Sequence, residues 1–352
     1  MDRRHLPRTC ALLIAGALTL PLLEPLAEAC GMFYSVRTIS PEKRPSLARE
    51  KVLLIHDAAA GRQHFVREIV FRKAEEPFGF VVPTPSLPEV AKVETTPFGK
   101  LRERFPFAPV ARGLGEGYGK GSGSGFGSGG GNQTVEVIAT EKVGSFTAFV
   151  LAASDAGALS KWLEDNQLSN SDETKAWLEH YVRMGFYYVA MRYDPPGDAK
   201  AADETLAAET IRISFATPVA YYPYFEPKTN LPGNKPRLLE LWTVSNTRLV
   251  PVVLADGVGW QRPLKPGKEY TRRETLEASL VDELESLLPP GELVVQSFQD
   301  QKRTRAGYHD VLFASAEPRS FSPEELIALE PLLGILDPGL VGEGEPGEER
   351  SE

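Results

Sequence analysis

The chain has 352 residues, of which 42% are hydrophobic and 25% are charged, and this composition is that of a globular protein. It carries 48 acidic and 39 basic residues, so its formal net charge is −9. Because nucleic-acid binding requires concentrated Lys and Arg, this balance argues against a nucleic-acid partner.

The first 29 residues have the pattern of an export signal. A basic start with three arginines precedes the apolar stretch Cys10–Leu23, whose 14 residues are too few to span a membrane. Small side chains, Ala27 and Ala29, then occupy the two positions that a signal peptidase reads. We therefore expect residues 1–29 to be a signal peptide. The mature protein is expected in the periplasm, at the cell surface or secreted.

Cleavage after Ala29 leaves Cys30 as the first residue and as the single cysteine of the mature chain, so no internal disulfide can form. Two interpretations of Cys30 remain open. In the first, Cys30 carries a lipid, as in bacterial lipoproteins. In the second, it is a free or intermolecularly paired thiol. The residues before it fit the A-x-A rule better than the lipoprotein box, in which a leucine stands at the position of Ala27. A membrane contact is expected only if Cys30 is lipidated.

The segment from 31 to 85 has the composition of strands. Residues 51–74 predict two strands around a turn at 58–62, and their imperfect alternation predicts a partly covered hairpin. The stretch FGFVVPTP predicts a buried strand that Pro83 and Pro85 end. The proline-dotted residues 86–112 are expected to be irregular.

Glycine occupies every second position from 113 to 129 and continues to 131, which predicts a flexible loop or linker over residues 113–131. Regular patterns return after it. One helix is expected with Ser154 as its N-cap, a second between Ser171 and Gly185, and a last one that begins at Ser322. A strong amphipathic helix is predicted over ETLEASLVDELESLL.

These elements predict an α+β fold, with a mostly antiparallel sheet, several packed helices and the glycine-rich loop inserted in it. One globular domain is expected over residues 30–338. The acidic tail, residues 339–352, is expected to be disordered. Whether the part after residue 226 is a separate domain stays open.

Six motifs occur in one order along the first two thirds of the chain: ACGMFY, KVLLIHD…FVREIVF, FGFVVPTPSLPEV, SFTAFVLAASDAGALSKWLEDNQL, YVRMGFYYVAMRY and IRISFATPVAYYPYFEP. As a set they resemble the bacterial domain of unknown function 2330. The resemblance is strongest over residues 30–226 and has the glycine run as an insertion. It implies an exported bacterial protein and supplies no catalytic residues.

One group of residues at the predicted hairpin turn is a candidate for a metal site. His56, Asp57 and His64 flank this turn. A zinc site needs three or four ligands in a defined geometry, and residues of this kind at a turn are more often solvated loop residues. No H-E-x-x-H, P-loop or EF-hand pattern is present in the sequence. We therefore predict no metal, no cofactor and no catalytic residues.

Residues 220–227 form a concentrated aromatic stretch, AYYPYFEP. Tyr221, Tyr222, Tyr224 and Phe225 are candidates for a surface that stacks on sugar rings or on a partner peptide. The alternative is a strand end whose alternate rings pack inward, because tyrosine is common in half-buried strands.

The leader and the absence of catalytic motifs favour an exported cell-envelope protein that binds or scaffolds an envelope protein or polysaccharide. One alternative is an envelope hydrolase whose site residues lie far apart in the sequence. Another is a structural lipoprotein anchored through Cys30.

Overall fold

The computed structural model describes residues 32–35, 46–72, 78–107, 134–166, 168–169, 172–193, 206–207, 209–227, 238–255, 259–262, 264–271, 273–280, 282–302, 305 and 308–336. The strands within these ranges are β1 (Met32–Ser35), β2 (Ser46–Asp57), β3 (Arg62–Arg72), β4 (Phe78–Thr84), β5 (Glu89–Lys92), β6 (Val135–Val143), β7 (Phe146–Ala153), β8 (Leu168–Ser169), β9 (Tyr187–Tyr193), β10 (Leu206–Ala207), β11 (Ile211–Ala216), β12 (Ala220–Tyr222), β13 (Leu238–Ser245), β14 (Leu249–Ala255), β15 (Gly259–Gln261), β16 (Lys265–Tyr270), β17 (Val294–Asp300) and β18 (Val311–Ser315). The helices are α1 (Phe98–Arg104), α2 (Ala156–Asp165), α3 (Asp172–Arg183), α4 (Arg273–Glu277), α5 (Asp282–Glu285) and α6 (Pro323–Leu336).

An eight-stranded sheet forms the centre of the fold. Its order is β16-β17-β13-β2-β3-β11-β5, and β10 pairs with β3. Neighbouring strands are antiparallel except β13 and β2, which are parallel. Because β13 follows residue 226 and pairs with β2, strands from the two ends of the chain share this sheet.

The β2–β3 hairpin has its turn where the sequence predicts it, and local interactions stabilise the turn. Asp57 Oδ1 accepts the backbone N–H groups of Ala59 and Ala60 at 2.9 Å each, and Gly61 adopts φ +58°. The expectation that this hairpin is only partly covered is wrong. The hairpin lies in the middle of a sheet, because β13 pairs with β2 and β11 pairs with β3. Both faces of the hairpin are covered, because residues on each face pack in a hydrophobic cluster.

The two faces of the central sheet have separate hydrophobic clusters. The inner face carries Val52, Leu54 and Phe65, which pack with residues of the other two sheets. The helix face carries Leu53, Ile55 and Val66, which pack with the helices. The helical side chains against the helix face come from α1, α4 and α5, namely Phe98, Leu101, Leu276 and Leu284.

Two further sheets lie on the inner face. A six-stranded sheet has the order β6-β7-β9-β4-β1-β8, and a four-stranded sheet has the order β12-β18-β14-β15. The sheets are mostly antiparallel, as the sequence predicts, and six helices accompany them within the described residues. The glycine-rich run 113–131 and the tail 339–352 lie outside the described residues.

Several local expectations are corrected. The irregular stretch 86–112 contains β5 and α1. Strand β4 continues through Pro83, which faces Tyr188 of β9. Pro83 lacks an N–H, and this is tolerated because the described pairing of β4 with β1 ends at Phe80.

Helix boundaries also differ from the expected ones. The N-cap of α2 is Asp155, whose Oδ1 accepts the backbone N–H of Ala158 at 2.7 Å, one residue after the predicted Ser154. The single amphipathic helix predicted after residue 273 is two short helices, α4 and α5. Between them Ser279 Oγ donates to the carbonyl of Thr275 at 2.6 Å, a side-chain bond that competes with a continuous helix.

The start of α6 is as predicted. Ser322 Oγ accepts the N–H of Glu325 at 3.2 Å, and the Glu325 carboxylate accepts the N–H of Ser322 at 2.8 Å. This reciprocal pair is a capping box. Among the described residues, no helix has the length and apolar content needed to cross a bilayer.

Candidate functional site

The aromatic stretch 220–227 lies inside the protein. Tyr221, Tyr222 and Tyr224 are 0% exposed, and Phe225 alone of the four candidates is partly exposed. The three tyrosines therefore do not form an exposed stacking surface, which corrects that interpretation. The inward-packed alternative describes them, because β12 pairs with β18 and its rings enter the core of the inner face.

A buried carboxylate, Asp310, holds this stretch in place. Its Oδ1 accepts the backbone N–H groups of Tyr224 at 2.7 Å and Phe225 at 2.8 Å, and its Oδ2 accepts the hydroxyls of Tyr221 at 2.7 Å and Tyr181 at 2.9 Å. Burial raises the pKa of Asp310, and the hydrogen bonds from Phe225, Tyr221 and Tyr181 oppose that rise. We name this arrangement the Asp310 clamp.

A second buried cluster lies on the inner face of the central sheet, and we name it the Arg305 cluster. Arg305 is 1% exposed. Its Nε lies 3.3 Å from Asp300 Oδ2, and its Nη1 lies 3.4 Å from Glu50 Oε2 and 3.8 Å from Glu226 Oε1. Arg67 Nε lies 2.8 Å from Glu50 Oε1, so three carboxylates share two guanidinium groups out of contact with water.

The aromatic stretch joins the Arg305 cluster to the Asp310 clamp. The Tyr224 hydroxyl donates to Asp300 Oδ2 at 2.9 Å, and the Arg305 guanidinium lies 4.8 Å from the centroid of the Tyr224 ring. Arg305 Nη1 donates to the Tyr222 hydroxyl at 3.3 Å. Burial lowers the pKa of Arg305, but Tyr222 and the carboxylates outweigh it and hold the pKa well above its usual range.

An outer layer of rings covers the clamp. Phe225 stacks on His309 with centroids 6.1 Å apart and planes 20° apart, and it meets the His180 ring edge-on at 5.4 Å. The Trp177 indole N–H donates to the carbonyl of Phe225 at 3.1 Å. Phe225, His180 and His309 are each partly exposed, and we name these three residues the ring face. Burial, then His309 and Arg183, lower the pKa of His180 to about 4.

The hairpin does not bring its two histidines together. Residues opposite each other in an antiparallel pair share a face, and successive residues alternate. His56 is opposite Gln63 and His64 is opposite Ile55, so the two imidazoles project from opposite faces of the sheet. The described residues contain no group of three potential ligands that could hold a metal ion.

Each of these histidines has its own partner. His56 Nε2 lies 3.2 Å from the carbonyl oxygen of Thr217, and His64 Nδ1 lies 2.8 Å from Ser214 Oγ. Asp57 caps the hairpin turn. Burial lowers the pKa of both histidines to about 4, so both are neutral at pH 7.

Residues 25–249, more than half of the chain, match a family described as an uncharacterized protein conserved in bacteria, DUF2330. The chain belongs to this family. The resemblance that the ordered motifs indicate is therefore confirmed. No curated protein matches the chain.

One solved structure similar to this DUF2330 chain is the crystal structure of baculovirus p35. The two chains are 9% identical, the comparison covers 81% of this chain and 94% of that chain, and the TM-score is 0.32. A likeness at this score supports no argument about fold or function.

The span of the DUF2330 match divides the buried clusters. Glu50, Arg67 and the aromatic stretch lie within residues 25–249, whereas Arg305 and Asp310 lie after it. The C-terminal part thus supplies the guanidinium and the carboxylate that hold the family segment 220–227.

Sequence reasoning missed Asp310 and Arg305, because their partners are far away along the chain. A weak signal exists in β3, where strand alternation puts Arg67 on the same face as Phe65 and Ile69. A charge among apolar neighbours on a buried face needs a buried counter-charge. Cys30, Ala27 and Ala29 lie outside the described residues.

Proposed function

We propose that this DUF2330 protein is an exported envelope protein that binds a polysaccharide through the ring face. The observation that carries the proposal is the Asp310 clamp. One buried carboxylate fixes the backbone of Tyr224 and Phe225 and so holds the Phe225 ring beside His180 and His309. Rings held in place before binding lose little conformational entropy when a ligand stacks on them.

Stacking suits a sugar because one face of a pyranose ring is apolar and matches the face of an aromatic side chain. Phe225 supplies an apolar ring, and the two histidines supply rings with polar edges. At pH 7 His180 is neutral, because its pKa is about 4. Its share of the contact with a neutral sugar therefore carries no cost of desolvating a charge.

The binding test compares two exposed aromatic positions. Phe225→Ala removes the centre of the ring face, whereas Trp260→Ala removes a 55% exposed indole on β15 that is not part of it. We expect F225A to bind isolated envelope polysaccharide about two- to tenfold more weakly than the wild type in a co-sedimentation assay, because an aromatic contact contributes about 0.5–1.5 kcal/mol.

W260A serves as the matched control and is expected to bind like the wild type. Thermal denaturation checks that both proteins are folded. Equal binding of folded F225A and the folded wild type would mean that the ligand binds elsewhere or that the protein does not bind polysaccharide. A protein partner captured by the wild type and lost by F225A would replace the polysaccharide as the ligand.

Export is tested separately by the intact mass of the protein from its native host. A mass that fits residues 30–352 in the soluble fraction supports a free protein with a bare Cys30. A mass increased by a diacylglyceryl group and an acyl chain, in the membrane fraction, supports the lipoprotein. A mass that retains residues 1–29 argues against export.

A further inference from the structure

A row of one apolar and three polar side chains crosses the helix face of the central sheet and ends at its edge. The pairing places Ile55 opposite His64, His64 opposite Ser214, and Ser214 opposite Glu89. Opposite residues share a face, so the four side chains form one row from the core to the edge strand β5. Glu89, the outermost member, has a side chain that is 72% exposed.

Ser214 and His64 are in hydrogen-bond contact. Ser214 Oγ lies 2.8 Å from His64 Nδ1, and the two residues are 1% and 8% exposed. In the tautomer whose proton is on Nε2, Nδ1 accepts the hydroxyl proton of Ser214. This is the geometry of a nucleophile beside its general base.

An ion pair crosses the strand that carries the serine and is the expected cover of Ser214. Arg62 lies on β3 and Glu89 on β5, with β11 between these strands, and their side chains meet at 2.9 Å. The pair therefore reaches across β11 on the face that carries Ser214. Since both side chains are exposed, at 38% and 72%, the pair is weak and able to open.

A second arginine lies next to the serine on the same strand and face. Arg212 is two residues before Ser214 in β11, and its Nε is buried without a hydrogen-bond partner among the described residues. A buried guanidinium nitrogen with an unused donor is suited to an oxygen that gains negative charge during a reaction.

We propose that Ser214 and His64 form an acyl-transfer site for carboxylic esters, with Arg212 facing the developing oxyanion. Ser214 Oγ bonds to the acyl carbon while its proton moves to His64 Nδ1. The ester C–O bond then breaks, and the leaving alkoxide takes that proton. Water next gives a proton to Nδ1 and attacks the acyl-serine, and the proton returns to Ser214 Oγ as the carboxylic acid departs.

The charges around the pair set the expected pH range. The pKa of His64 is lowered to about 4, mainly by burial and then by the positive charges of Arg62 and Arg212. The negative charges of Glu89 and Asp57 act in the opposite direction. The imidazole is therefore an available base over most of the range above that value. The reaction is expected to persist at pH 5, where an ordinary histidine is largely protonated.

The experiment uses a fluorophosphonate probe on the protein expressed from its full coding sequence, with trypsin labelled in a parallel tube. Nucleophilic attack forms a bond from Ser214 Oγ to phosphorus and releases fluoride. Peptide mass spectrometry is expected to place the label on Ser214 in the wild type. His64→Gln is expected to lower the labelling rate at least tenfold, and Ser86→Ala to leave it unchanged.

Ser86 is a matched control, because its Oγ donates to the carbonyl of Ala216 at 2.7 Å next to the same strand. The rate at pH 5 is expected to be within twofold of that at pH 7. No label on the folded wild type while trypsin is labelled, or a label on any other residue, overturns the proposal. An unchanged rate in folded H64Q overturns the role of His64. None of these outcomes depends on the ring face.

Discussion

Arginine–carboxylate contacts occur in two settings in this protein, and the comparison between them explains its construction. In the Arg305 cluster, Arg305, Arg67, Glu50, Glu226 and Asp300 are all 3% exposed or less. In the pair that is expected to cover Ser214, the side chains of Arg62 and Glu89 are 38% and 72% exposed. The two settings contain the same charged groups but differ in their exposure to water.

Burial makes an arginine–carboxylate contact necessary for stability, whereas an exposed contact of the same kind contributes little to stability. Around an exposed pair, water replaces either partner, and the net contribution to stability is about 0–1 kcal/mol. In a buried cluster no water replaces a lost partner, so removal of one group leaves an uncompensated charge. The variants below test this difference from the largest expected effect to the smallest.

Arg305→Met is expected to have the largest effect. It removes the guanidinium but keeps an unbranched apolar side chain, and it deprives the buried carboxylates Glu50, Glu226 and Asp300 of a cation that all three contact. We expect the free energy of unfolding to fall by about 3–5 kcal/mol, measured by urea denaturation.

Arg248→Met is the matched control, because the Arg248 side chain is 64% exposed and meets Glu269 at 3.0 Å. It is expected to change stability by less than about 0.5 kcal/mol. If R305M and R248M cost the same, burial does not distinguish the two settings.

Asp310→Asn tests the clamp. The substitution keeps the shape, but one of the two acceptor oxygens becomes an NH₂ donor that faces hydroxyls and N–H groups. We expect a loss of about 2–3 kcal/mol, because hydrogen bonds to a charged group contribute about 1.5–3 kcal/mol each. Thermal and urea denaturation measure it.

Asp165→Asn serves as its control, since the Asp165 side chain is 62% exposed in an i,i+4 pair with Lys161. Little change is expected there. If D310N is as stable as D165N, the four donors around Asp310 do not depend on its charge.

Lower pH is expected to destabilise the protein through the three histidines with lowered pKa values. His56, His64 and His180 have pKa values near 4 in the folded protein, against about 6.5 in the unfolded chain. Between these values the unfolded chain binds protons that the folded protein does not. Stability is therefore full above about pH 6.5 and falls towards pH 4, by up to about 2 kcal/mol per histidine at pH 5.

His180→Gln is expected to remove one of these contributions. Urea unfolding at pH 7 and pH 5 measures the difference in stability, which should be smaller in H180Q than in the wild type. Equal pH dependence in the two proteins would mean that His180 does not become protonated on unfolding, which contradicts its low folded pKa.

The fold was more predictable from the sequence than the site was. Apolar runs placed the β2–β3 hairpin and its turn, because strand patterns are local. The order of strands was not predictable, because β2 pairs with β13 nearly 200 residues later. Helix ends depended on single hydrogen bonds, such as the one that makes Asp155 rather than Ser154 the cap of α2.

The buried clusters join residues that no local pattern connects. Arg305 and Glu50 are 255 positions apart, and Ser214 and His64 are 150 apart. The sequence did place Arg67 on an apolar face, which implied a buried counter-charge but did not identify it. The aromatic stretch is conspicuous in the sequence for its rings, whereas its polar atoms and backbone make the contacts with Asp310.

The smallest effect on stability is expected at the cover of Ser214. Arg62→Ala removes one partner of the exposed pair, and the free energy of unfolding should change by less than about 0.5 kcal/mol because water solvates Glu89 in its place. The same variant uncovers Ser214, so its rate of fluorophosphonate labelling is expected to rise. A large loss of stability would show that the pair is structural like the Arg305 cluster, and an unchanged labelling rate would show that the pair does not control access to Ser214.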